Sequence, residues 1–127
     1  MRRAVLAAPR VGYSTGPSGV ALAALFERWG IADEIRPRLV TPPPGVPVGS
    51  LVASGEIALG FQQLSELMHL PGLDVLGPMP PGTEIVTAFS AGLCVASPSP
   101  AAARELIDFL RGQQTADAKR RHGTEPA

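Results

Sequence analysis

The segment Gly12-Tyr13-Ser14-Thr15-Gly16-Pro17-Ser18-Gly19 decides how the rest of the chain is interpreted. Arg10 to Ser14 is a short run typical of a strand, and Pro17 stands where the first residue of a helix is favoured. Beyond it, apolar residues recur at helical spacing: Leu22, Leu25, Phe26 and Trp29. The segment therefore predicts a strand that turns directly into the N-terminus of a helix.

A strand that enters a helix through glycines and hydroxyl side chains offers the groups that bind an anion. The first N–H groups of a helix lack partners within it, and the helix dipole adds roughly half a positive charge there. We expect Ser14, Thr15, Gly16 and Ser18 to bind a ligand through hydroxyls and main-chain amides. An ordinary capped turn between a strand and a helix explains the same residues equally well.

Strands and helices alternate along the next part of the sequence. Strands are expected at Arg38 to Val40 and Ile57 to Phe61, with a helix from about Val46 to Ser54 between them. A short helix from Ser65 to Leu70 and a brief strand from Leu73 to Leu76 follow. The order β-α-β-α-β favours a three-layer α/β fold, a mainly parallel sheet with helices on both faces.

The apolar run from Glu84 to Ala96 predicts a strand of thirteen residues, about twice the common length of ~5–6. Cys94 within it is expected to be a small buried hydrophobic residue.

Ser99 and Pro100 predict a capped helix start, and the buried stripe of that helix would comprise Ala103, Leu106, Ile107 and Leu110.

A last helix is expected from about Thr115 to His122. The whole chain, residues 1–127, is thus predicted to form one α/β lobe. Its core would comprise residues 10–83, its long strand residues 84–96 and its C-terminal helices residues 97–127.

A second group of candidate binding residues follows the third strand. Ligands collect at the carboxyl ends of parallel strands, where Gln62 and Gln63 offer both donors and acceptors. Side chains alternate along a strand, so one of the two is expected to face a ligand. A solvated loop is the alternative explanation.

Composition excludes several classes of function. Lys plus Arg equals Asp plus Glu at 11 each, so no net field attracts nucleic acid. With one cysteine and two histidines, neither a disulfide nor a zinc-type metal site is expected, and no cofactor is predicted. No apolar stretch approaches the ~20 residues that cross a bilayer, so we expect no membrane insertion.

The order of these segments resembles the second lobe of the molybdate-type extracellular solute-binding proteins, which have the class II periplasmic binding-protein fold. The resemblance rests on the pieces Val11–Ser14, the helix ending at Trp29-Gly30, Ile35–Val40, the segment 55–60, Phe109-Leu110 and His122-Gly123. It implies two lobes that clasp an oxyanion or small solute. It also implies that Glu84 to Ala96 is a hinge-type crossover toward a first lobe, which is missing here.

The resemblance predicts a protein that is not an enzyme. It would bind a small anionic or polar solute as the substrate-binding component of an ABC-type transport system. A single lobe covers one side of the ligand and leaves the other side exposed to water, which weakens binding. A partner lobe, or a homo-oligomer formed through Glu84 to Ala96, is therefore expected. Relatives are usually periplasmic, but the run between Arg3 and Pro9 is shorter than a signal-peptide core, so the compartment stays unknown.

Two other functions stay open on the sequence. An effector-sensing module of a transcription regulator shares this lobe architecture. A serine hydrolase would use Ser14 as its nucleophile, since Gly12-x-Ser14-x-Gly16 matches a nucleophile elbow, and Asp108 and His122 follow in the required order.

Overall fold

The computed structural model describes residues 1–126 and divides the chain into two compact units. The first unit is Met1–Thr87 and the second begins at Ala88. All of the parallel sheet and all of the predicted binding residues belong to the first unit.

A three-stranded parallel sheet forms the centre of the first unit. Its strands are β1 (Val11–Tyr13), β2 (Leu39–Val40) and β3 (Leu59–Phe61), and their order is β2-β1-β3. Gly12 pairs with Val40 on one side and Gly60 on the other. The predicted parallel α/β fold is therefore confirmed.

Helices precede, connect and follow these strands. They are α1 (Arg2–Ala7), α2 (Pro17–Arg28), α3 (Ala32–Ile35), α4 (Val48–Ala53) and α5 (Leu64–Leu67), and a 3-10 turn at Arg36–Arg38 leads into β2. The guanidinium of Arg38 donates to the carbonyls of Leu6 and Ala8 at 2.9 and 2.6 Å. These two bonds satisfy carbonyls at the end of α1 and join α1 to the start of β2.

Alternate residues of β1 face different helices, so the sheet is covered on both sides. Val11 is fully buried in the cluster that contains Leu22 and Phe26 of α2. Gly12 faces the other way, since a Cβ there would overlap Ile57 Cδ1 and lie 3.2 Å from Val48 Cγ1 of α4. Each strand residue thus contributes to one of two layers, as the period of two requires.

Aromatic rings fill the space between α2 and the sheet. Phe26 is 1% exposed, and its ring centroid lies 6.5 Å from that of Tyr13 in β1 and 6.2 Å from that of Phe61 in β3. Both contacts are edge-on, a preferred geometry for aromatic pairs. They hold the C-terminal half of α2 against the carboxyl ends of two neighbouring strands.

The second unit is helical. It contains α6 (Pro100–Arg111), a 3-10 turn at Gln113–Thr115 and α7 (Ala116–Arg121), and Gly123 at φ 73° follows the last helix. The two predicted helices are confirmed. Ser99 is the N-cap of α6, but its hydroxyl makes no capping hydrogen bond.

The predicted buried stripe of α6 is wrong. No residue of α6 is buried, and Leu106 and Leu110 are 57% and 43% exposed. Helical spacing identifies an apolar face correctly, but burial also needs a second surface against that face. The described residues of this unit contain no sheet that would supply one.

The predicted strands at Leu73–Leu76 and Glu84–Ala96 are also wrong, since the structure assigns neither segment to a sheet. Val86 and Phe89 are 89% and 71% exposed, and Cys94 is exposed rather than buried. An apolar run becomes a strand only when a neighbouring backbone completes its hydrogen bonds. Within the described residues, 84–96 has no such neighbour.

Candidate functional site

The turn between β1 and α2 leaves one first-turn amide without a backbone acceptor. Gly16 is the N-cap in an extended conformation, and the N–H groups of Gly19 and Val20 donate to its carbonyl at 2.9 and 3.1 Å. Pro17 has no N–H. The amide of Ser18 is therefore the first-turn donor that has no backbone acceptor within the described residues.

Hydroxyl groups surround this amide. Ser14 Oγ and Ser18 Oγ lie 3.4 Å apart, and both side chains are half-buried. Thr15 between them is exposed. Serine and threonine hydroxyls can each donate one hydrogen bond to an anionic ligand. The predicted group Ser14, Thr15, Gly16 and Ser18 therefore presents several donors from one turn.

Gly19 permits this turn to close tightly. A Cβ at Gly19 would overlap the carbonyl oxygen of Ser14 and lie 2.8 Å from its carbonyl carbon. The backbone of residue 14 therefore passes directly over the first turn of α2. A glycine five residues after Ser14 is the sequence feature on which the shape of the turn depends.

Gln62 and Gln63 follow β3 and behave differently. Gln62 Oε1 accepts from the N–H of Gly49 at 3.0 Å, and its Nε2 donates to Glu66 Oε2 at 2.6 Å. Gly49 is the second residue of α4, so Gln62 satisfies one of the partnerless amides of that helix. Gln63 is the N-cap of α5, and its side chain makes no hydrogen bond within the described residues.

A cleft of about 260 Å³ brings the predicted residues together. Five of the six predicted residues line it, and Gln62 does not; the five are Ser14, Thr15, Gly16, Ser18 and Gln63. Its other wall is the turn from Pro42 to Val46, together with Glu66 of α5. The volume is below the ~300–1,000 Å³ of sites for drug-sized ligands, so the cleft suits a small solute.

A larger, more apolar groove shares part of this lining. It has a volume of about 1120 Å³ and includes Ser14, Ser18, Gln62 and Gln63. Its far side is the irregular segment 72–80. The turn between β1 and α2 therefore borders two spaces of the first unit, a small one and a larger, more apolar one, which share lining residues.

Glu66 is the cleft residue that the sequence interpretation missed. Of the residues that line the cleft, it is the only one with an ionisable side chain, and no lysine or arginine lines it. Gln62 precedes α5 and its N-cap Gln63, so the spacing of four residues between Gln62 and Glu66 does not place the two side chains on one helix face. The sequence therefore carried no helix-face signal for this pair.

The structure gives the hydrolase hypothesis no support. The hydroxyl neighbour of Ser14 is Ser18, at 3.4 Å. Asp108 and His122 both lie in the second unit, outside the unit that contains Ser14.

Within residues 1–126, no group of three His, Cys, Asp or Glu side chains is placed to hold a metal ion. No helix in this range has the length and apolar character needed to span a bilayer.

Comparison with known proteins identifies the family. The chain belongs to the bacterial extracellular solute-binding protein family, whose profile matches residues 2–125. It is 38% identical over 122 residues to a Pseudomonas sp protein named aconitate isomerase. That match covers 94% of this chain and 45% of the relative, so the chain spans less than half the relative's length. No solved structure matches significantly.

The predicted resemblance is thereby confirmed at the level of an extracellular solute-binding family. Neither comparison supports molybdate as the solute.

Proposed function

We propose that this chain forms one lobe of a solute-binding domain and holds a small carboxylate, without converting it, at the turn between β1 and α2. The main observation that supports the proposal is the Ser18 amide. It has no backbone acceptor, and it lies in the turn that presents the Ser14 and Ser18 hydroxyls to an open cleft. Family membership supports binding of a solute. Delivery to an ABC-type transporter is part of the same proposal.

Carboxylates are the proposed class for two reasons. Amides at a helix N-terminus favour anions of small size. The relative with 38% identity is named for aconitate, which is a tricarboxylate. Because no lysine or arginine lines the cleft, this lobe neutralises charge with amides and hydroxyls alone.

Affinity for this chain alone should be low, about millimolar, because water reaches half of an open cleft and competes for each hydrogen bond. A two-lobed site would bury more of the ligand. We therefore expect the full affinity only when a second lobe or a second copy covers the cleft.

A titration followed by NMR tests the proposal, since NMR detects millimolar binding. Citrate, succinate and trans-aconitate serve as probes. The double substitution Ser14→Ala and Ser18→Ala should weaken binding about tenfold or more, because each hydrogen bond lost in an open, water-filled cleft contributes about 0.5–1.5 kcal/mol. Ser54→Ala removes a hydroxyl that bonds to Leu51 instead, and should leave binding unchanged. Equal affinity of the double variant and the wild type would contradict the proposal.

A second candidate, an aconitate-type isomerase, rests on the 38% identity over nearly the whole chain. Moving a carbon–carbon double bond requires a group that takes up and returns a proton, and Glu66 is the only ionisable residue among those that line the cleft. Incubation of the chain with trans-aconitate, followed by proton NMR, separates the two candidates. If the wild type converts trans-aconitate and the Glu66→Gln variant does not, the isomerase would replace the solute-binding proposal. Unchanged spectra would support binding without conversion.

A further inference from the structure

The small cleft contains an acceptor as well as donors, and this combination restricts the ligand further than its charge does. Glu66 lines the same space as Ser14, Thr15 and Ser18. A carboxylate in this position repels a simple anion, because no lysine or arginine of the lining offsets it. A ligand with a hydrogen-bond donor of its own would turn that repulsion into a contact.

The carboxylate of Glu66 is held in place. Gln62 Nε2 donates to Glu66 Oε2 at 2.6 Å, and the other end of the Gln62 amide is fixed by the N–H of Gly49 at 3.0 Å. The backbone N–H of Glu66 donates to the carbonyl of Gln63 at 3.0 Å. One carboxylate oxygen is thus engaged by Gln62, and the Glu66 side chain is otherwise exposed at the cleft.

We propose that the ligand is a small carboxylate that also carries a hydroxyl or ammonium group, and that Glu66 is the residue that selects it. The inference rests on the proposed function, since it presupposes that the ligand carboxylate meets the amide of Ser18. Glu66 then accepts a hydrogen bond from the hydroxyl or ammonium of the same ligand. A site that contacts the ligand at both Ser18 and Glu66 disfavours plain dicarboxylates, because they leave Glu66 without a hydrogen-bond donor.

Three probes of similar size test the inference on the chain as it exists. Succinate carries two carboxylates, malate adds a hydroxyl, and aspartate adds an ammonium in its place. NMR titration of the wild type should show malate or aspartate binding about tenfold more tightly than succinate. Comparison of malate with aspartate also shows whether the site prefers a hydroxyl or an ammonium donor.

Variants of Glu66 identify the responsible residue. In the Glu66→Ala variant, malate and aspartate should each bind less than about threefold more tightly than succinate. In the Glu66→Gln variant, the same reduction is expected for aspartate. Glu34→Gln is the matched control, because Glu34 lies exposed on α3 and does not line the cleft. The Glu34→Gln variant loses the same charge as Glu66→Gln and should leave the preference for malate or aspartate over succinate unchanged.

The outcomes distinguish the inference from the function on which it rests. Equal affinities for the three probes, or a Glu66→Gln variant that tightens all three equally, would overturn the role of Glu66 while leaving carboxylate binding intact. Failure of every probe to bind the wild type and both Glu66 variants would overturn the proposed function, and the inference with it.

Discussion

At the scale of single residues, Gly19 determines the geometry of the binding turn. The backbone of Ser14 occupies the place where any other residue would have a Cβ. This contact joins the last residue before the turn to the first turn of α2. The donors of the site therefore depend on the absence of one carbon atom.

The substitution Gly19→Ala should destabilise the protein by about 1–3 kcal/mol, because the added methyl overlaps backbone that has no room to move. It should also weaken carboxylate binding, since relief of the clash displaces Ser14. Chemical denaturation measures the first effect and NMR titration the second.

Gly16→Ala is the matched control in the same turn. Gly16 has φ −74°, and no atom lies within 4 Å of the position of its Cβ. Its free energy of unfolding should change by less than about 1 kcal/mol. Equal losses for the two variants would show that close approach to Ser14 is not what requires Gly19.

The polar residues of the site were predictable from the sequence to different degrees. The hydroxyls and glycines before α2 were found because capping residues and Pro17 identify a helix N-terminus. The sequence could not show that Gln62 would bond to Gly49, thirteen residues away, since that contact exists only after α4 and β3 come together. Glu66 was missed for the same reason.

At the scale of elements, the amide of Gln62 joins the first turn of α4 to the end of β3 and to α5. It accepts from Gly49 and donates to Glu66. These three elements, of which α5 lines the cleft through Glu66, are therefore connected through a single side chain.

Gln62→Ala should lower the free energy of unfolding by about 1–3 kcal/mol, because the partly buried N–H of Gly49 loses its acceptor. Gln63→Ala is the control, since that side chain makes no hydrogen bond within the described residues; it should change stability by less than about 0.5 kcal/mol. Urea denaturation of both variants measures the difference. A loss for Gln63→Ala as large as that for Gln62→Ala would contradict this assignment.

The helices and strands were predicted well where the local sequence determines them, and poorly where they depend on contact with a distant part of the chain. Strands β1, β2 and β3 and helices α2, α4, α6 and α7 follow from apolar spacing and from glycine and proline punctuation. The run 84–96 has the composition of a strand, but no neighbouring backbone completes its hydrogen bonds within the described residues. Composition cannot indicate whether such a partner is present.

At the scale of the whole molecule, apolar side chains are exposed in the segment 84–96, among them Val86, Phe89 and Val95. An apolar segment without a partner is a site of association. We propose that a second copy of the chain covers it when no other lobe is supplied. A crossover role for the same segment remains a prediction.

Sedimentation tests this association. The wild type should form dimers at high concentration, and the double substitution Phe89→Asp and Val95→Asp should shift it to monomer, because two buried charges oppose the contact. Substitution of the exposed Val20 of α2 by Asp is the control and should leave the dimer intact. A wild type that sediments as monomer throughout would remove the proposal.

The central claim is that a small carboxylate meets the exposed amide at the start of α2. A titration with amide resonances assigned measures this most directly. The account predicts that the largest chemical-shift changes fall on Ser14 to Gly19 and on Gln63, while those of α6 stay constant. Changes confined to α6 or to the segment 84–96, with residues 14–19 silent, would contradict it.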